Sequence, residues 1–126
     1  MVKSNKAFIQ HGRKTATTSY QTLLSIESDP DKEIYIDNIT IDWSSVAGAP
    51  YINVTINGET KLRDFRPVVA QTKLSFGRDL VFKGKTQKPP ILVEIKDTAA
   101  TPNVTCIVTG VQIPYRRPVS HEKAEI

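Results

Sequence analysis

The side chains able to do chemistry in this chain are few and far apart. His11 and His121 sit near opposite ends, and Cys106 is the single cysteine. Nucleophilic hydrolysis needs a histidine held rigidly beside a Ser or Cys. Both histidines lie in segments that read as terminal arms, so the sequence argues against an enzyme. One cysteine excludes an internal disulfide framework and a Cys-based zinc cluster. Cys106 keeps phase with Val104 and Val108 and reads as a small buried hydrophobe. Asp29 and Asp31, with Glu33 close by, could offer oxygens to calcium. Asp29-Pro30-Asp31 is equally ordinary turn chemistry, and the sequence calls for no metal or cofactor. Asn57-Gly58, Gly77 and Gly84 are turn glycines rather than a phosphate loop. Trp43, Tyr51 and Tyr115 could form a sugar-stacking platform, although Trp43 shares its phase with Ile39 and Ile41, which places it in a core.

The elements that would position these groups are strands. The 126 residues include 13 Ile, 11 Val and 13 Thr against 6 Leu, and branching at Cβ suits a pleated surface better than a helix. Alternation predicts strands at 20–26, 33–43, 51–56, 59–62, 73–76, 79–83, 91–96 and 104–113. On the first, Tyr20, Thr22, Leu24 and Ile26 share a face. In the second, Ile34 and Ile36 are even-numbered while Ile39, Ile41 and Trp43 are odd. One face can hold both sets only if a residue is inserted, which predicts a bulge near Asp37-Asn38. Asn57-Gly58 predicts a two-residue type I′ hairpin. In the last strand Val104, Cys106 and Val108, then Val111 and Ile113, read as inward, with Gly110 marking a second bulge or bend.

No helical period separates these strands, so the expected fold is an all-β, antiparallel sandwich of about eight strands. A jelly-roll type is favoured, with an immunoglobulin-like order as the alternative. Asn38-Ile39-Thr40, Asn53-Val54-Thr55 and Asn103-Val104-Thr105 place Asn and Thr on one face and an apolar residue on the other. No apolar run is long enough to span a membrane, and the first twenty residues lack the apolar stretch of a secretory signal.

Charge divides the chain into a basic N-terminal arm (1–19), a sandwich domain (20–113) and a C-terminal tail (114–126). The arm carries Lys3, Lys6, Arg13 and Lys14 and no acid, whereas the central part is nearly neutral; the net charge is +4. Such ends are either disordered tails kept soluble by their charge or segments that order on a partner, in which case Phe8 and Ile9, flanked by polar residues, read as an apolar anchor for a groove elsewhere. Tyr115, Arg116 and Arg117 offer a second contact set. Four scattered cations without interleaved aromatics argue against nucleic acid as a partner.

A small helix-free sandwich with positively charged ends resembles accessory virion proteins, namely phage capsid decoration or cement proteins and small jelly-roll coat proteins. The segments Leu74-Ser75-Phe76-Gly77-Arg78-Asp79-Leu80-Val81-Phe82-Lys83-Gly84 and Ile91-Leu92-Val93-Glu94-Ile95 carry that likeness. It implies a non-enzymatic structural protein, made in a host cytoplasm and located in the virion. It would form homo-oligomers and bind a larger protein shell. A carbohydrate-binding module, with a glycan as ligand, is the alternative.

Overall fold

The computed structural model describes residues 6–27, 32–83 and 90–114, with 78–83 as backbone only. Eight strands form two four-stranded antiparallel sheets: β1 (Lys6–Thr15), β2 (Gln21–Ile26), β3 (Lys32–Trp43), β4 (Pro50–Ile56), β5 (Glu59–Phe65), β6 (Gln71–Lys83), β7 (Ile91–Asp97) and β8 (Asn103–Pro114). One sheet has the order β1-β8-β3-β6 and the other β2-β7-β4-β5. Only β4 and β5 are neighbours in both sequence and sheet. Every other connection passes from one sheet to the other. The β4–β5 turn is the predicted Asn57-Gly58 hairpin, with φ positive at both residues (52° and 77°).

The core lies between the sheets. Ile34, Ile36, Ile39, Ile41 and Trp43 from β3 meet Ile52, Val54, Ile56, Ile91, Val93 and Ile95 from the other sheet, all buried. The predicted bulge is present: against β8, Ile36 pairs with Gly110 and Asn38 with Thr109, leaving Asp37 as the extra residue. Gly110 is not a second bulge, because β8 runs in unbroken register against β1 through it. It is a close approach instead. A Cβ there would sit 2.0 Å from the Tyr35 carbonyl oxygen. Without a phase change in β8, Gln112 pairs with Ile34 on the inward side. Val111 and Ile113, expected inward, turn outward with Tyr35 and Glu33.

Three further expectations are corrected. In β2 the register shifts between Thr22 and Leu24, so Leu23 and Leu24 are both buried while Thr22 is exposed. Strands expected at 73–76 and 79–83 form one strand, β6, kinked where Gly77 has φ of 62°. The largest correction concerns the basic arm: residues 6–15 are strand β1, paired residue by residue with β8 from Lys6–Gln112 to Thr15–Asn103. Phe8 is only 7% exposed and belongs to the core. Gly12 lies so close to β2 that a Cβ would stand 2.2 Å from the Leu23 carbonyl oxygen. An edge strand at the margin of a sandwich needs little apolar surface, and here one phenylalanine supplies it.

The two neighbours in β1 should therefore behave oppositely. Phe8→Ala is expected to cost about 3 to 5 kcal/mol in urea unfolding, the range for a buried aromatic truncation. Ile9→Ala, on the outward face, should cost within about 0.5 kcal/mol. Equal costs would place β1 outside the core.

Candidate functional site

The residues proposed from sequence fall into three groups. Lys6, Arg13 and Lys14 are exposed on β1, and Ile9 is 61% exposed. Phe8 fills its own core, so its side chain is not an anchor for another protein. Lys3, Tyr115, Arg116 and Arg117 lie outside the described residues, as do His121, Asp29 and Asp31. The strand register places Ala7, Ile9, His11 and Arg13 on the outward face of the β1-β8-β3-β6 sheet, with His11 opposite Ile107 and Ile9 opposite Thr109. Ile107 is itself 38% exposed. This face thus presents aliphatic side chains on rigid strands, with Arg13 at one side and Lys73 across the row through Ile107 and Thr40.

Among the described residues Trp43 and Tyr51 do not form the glycan platform. Trp43 is 3% exposed, inside the core. Tyr51 does have an aromatic partner that the sequence did not single out. The Lys96 ammonium lies 4.6 Å from the Tyr20 ring centroid and 5.2 Å from that of Tyr51. Such a cation–π pair covers the ring faces that a sugar would use. The Tyr20 hydroxyl reaches across the sheet to donate to Asp64 Oδ1 at 2.5 Å. Its pKa is driven well above the usual tyrosine value, first by burial, then by that hydrogen bond and by the charges of Asp64 and Glu94. This arrangement ties the chain before β2 to β7, β4 and β5.

Cys106 is fully buried, and burial pushes its thiol up to about 12, which leaves no nucleophilic thiolate. Glu33 is buried in β3. Among the described residues no group of three His, Cys, Asp or Glu side chains could hold a metal. A cleft of about 390 Å³ opens where the start of β1 passes the end of β2, walled by Gln10, Ser25, Glu27, Lys32 and Gln112. Ser25 Oγ lies 3.5 Å from Glu27 Oε1 there, and among the described residues no histidine lines the cleft. No helix among the described residues is long and apolar enough to cross a membrane.

The most constrained polar group was not legible as such. Asp97 ends β7 with 0% exposure. Its Oδ1 accepts from the backbone N–H groups of Ala49 (3.0 Å), Ala99 (2.9 Å) and Ala100 (2.8 Å). Gly48 is packed so tightly that a Cβ would come within 2.7 Å of the same oxygen. Burial raises the carboxyl pKa, but the three N–H donors and the Arg66 charge outweigh it, and the net shift is downward. Arg66 in turn donates to the Gly48 carbonyl at 3.3 Å. The signal in sequence was faint: one acid followed by Thr98-Ala99-Ala100, the small residues that let backbone amides close on a carboxylate.

No protein-family model and no curated protein sequence matches the chain. Among solved structures, a chain of the Cyanophage Pam1 capsid asymmetric unit is similar at 13% identity, over 89% of this chain and 86% of that one, with a TM-score of 0.52. A chain from Bacillus endospore appendages, described as a novel family of disulfide-linked pili, is similar at 14% identity over 92% and 93%, with a TM-score of 0.48. At such identities the likeness to the phage chain is one of fold.

Asp97 yields a pH prediction. A carboxyl whose folded pKa is depressed adds stability above its unfolded pKa, near 3.9, and that stability is lost as pH falls through the folded value. Wild-type stability should decline on acidification below about pH 4. Asp97→Asn should be less stable at neutral pH by about 1 to 3 kcal/mol and show a shallower acid decline. Parallel pH profiles for the two proteins in urea unfolding would show that Asp97 is not a linked group.

Proposed function

We propose that the chain is a non-enzymatic structural protein of a virus particle, a decoration or cement subunit that associates with its own copies and binds a larger shell. The observation that carries this reading is the outward face of β1. Ile9 stands exposed beside Ile107 on paired strands, with Arg13 on the same face and Lys6 and Lys14 on the same strand. Rigid aliphatic side chains rimmed by cations suit a partner with an apolar contact patch and acidic surroundings. Lys3 precedes β1, while Tyr115, Arg116 and Arg117 follow β8. Those strand ends lie side by side, so these residues are proposed as part of the same contact.

The fold supports the reading. A phage capsid chain shares it over nearly its whole length. The nested order, in which β1 pairs with β8, β2 with β7, β3 with β6 and β4 with β5, supports the jelly-roll type. The place of action would be the virion.

The test begins with particles assembled without the chain, to which purified protein is added back. Saturable binding at a fixed ratio to the shell subunit is expected. Ile9→Asp should weaken binding by about tenfold or more while leaving thermal stability unchanged. Absence of the chain from purified native particles, or equal binding by wild type and Ile9→Asp, would overturn the proposal.

A further inference from the structure

The two ends of the sandwich differ in chemistry. Four connections meet at one end: 16–20 (Ala-Thr-Thr-Ser-Tyr), 44–49 (Ser-Ser-Val-Ala-Gly-Ala), 66–70 (Arg-Pro-Val-Val-Ala) and 98–102 (Thr-Ala-Ala-Thr-Pro). They carry a single charged residue, Arg66, and its charge is offset by buried Asp97. They form one continuous surface. Ala16 N–H donates to the Pro102 carbonyl, Trp43 N–H to Ala70, Asp97 N–H to Thr17 and Thr98 N–H to Ala49. Asp97 and Arg66 add the side-chain ties described above. The surface is also apolar at its tips: Val68 is 85% exposed, Val69 is 61% exposed, and Ala47, Ala99 and Ala100 are exposed. At the other end, Glu27 and Lys32 flank the connection from β2 to β3.

We propose that this uncharged loop end is the surface through which copies of the chain meet around a rotation axis. The inference rests on reading the chain as an assembling subunit and names the surface used. Around a rotation axis, each residue near the axis faces the same residue of its neighbours, so a net charge there is repeated and repels. A different protein could supply complementary charge, and its docking would place no such demand on this end. Exposed valines and alanines on loops pinned by hydrogen bonds, with charge cancelled locally, meet the requirement for self-contact. The charged opposite end and the cationic β1 row do not.

Sedimentation velocity or light scattering over a concentration series tests this. Wild type should form a closed oligomer that withstands added salt, since the contact uses no exposed ion pairs. Val69→Asp and Ala99→Asp lie in different loops, and each should weaken association at least about tenfold while keeping the wild-type thermal midpoint. Thr105→Glu, on the outward face of β8, should leave the oligomer intact. A monomeric wild type, dissociation by salt, or oligomers that survive both Asp variants would overturn the inference. Loss of the oligomer in both variants with shell binding retained through Ile9 would separate this contact from the shell contact. Failure of shell binding with the oligomer intact would strike only the functional reading.

Discussion

One extra residue in β3 sets the phase of the sheet to which β1 belongs. Asp37 takes up the mismatch between Ile34 and Ile36 on one side and Ile39, Ile41 and Trp43 on the other, so that a single strand buries five large side chains on one face. The neighbouring strand must then approach a bulged backbone, and Gly110 makes that approach possible, since any Cβ there would overlap the Tyr35 carbonyl. Because β8 passes this point without losing register, it can pair with β1 over its full length. The inward position beside Gly110 falls to Phe8, and the outward row to Ala7, Ile9, His11 and Arg13. The exposed residues follow from the bulge as directly as the buried ones do.

The second organising element is electrostatic and local. A buried carboxylate is costly unless hydrogen bonds offset its desolvation; Asp97 Oδ1 accepts three backbone N–H groups from two loops, while the buried Oδ2 has no hydrogen-bond partner among the described residues. Those loops need few charged or long side chains to hold their shape, because the backbone is tied directly. Small residues suffice, and the end of the molecule is left smooth and almost uncharged. One buried charge thereby accompanies an end whose four connections carry Arg66 as their single charged residue. At the opposite end the described residues Glu27 and Lys32 flank the connection from β2 to β3. The fold thus has one nearly uncharged end and one cationic side strand.

Much of the fold was legible where period and turn chemistry agreed. The bulge in β3 announced itself through a switch from even to odd apolar positions, and the hairpin through Asn57-Gly58. Strand β1 was not legible, because an edge strand that buries Phe8 alone has no alternation to read and its cations imitate a tail. The phase of β2 was obscured because Leu23 and Leu24 are both apolar and either could face inward. In β8, Gly110 suggested a local defect, yet its role was to accommodate the defect of its neighbour. Of the candidate contacts, Lys6, Ile9, Arg13 and Lys14 proved exposed, whereas Phe8 did not. The loop end escaped notice because its signal is the absence of charge in four segments far apart in sequence, which only the strand order brings together.

The central claim is that the surfaces available for assembly are faces of a folded sandwich that includes β1, and not tails that order on a partner. Hydrogen–deuterium exchange on the isolated protein tests this most directly. In antiparallel pairing, alternate β1 amides point at β8 and are sheltered by its carbonyls. The account predicts that those amides between Ala7 and Lys14 are protected to nearly the extent seen in β8 itself. Exchange of the whole segment at the rate of an unstructured peptide, with β8 still protected, would contradict it.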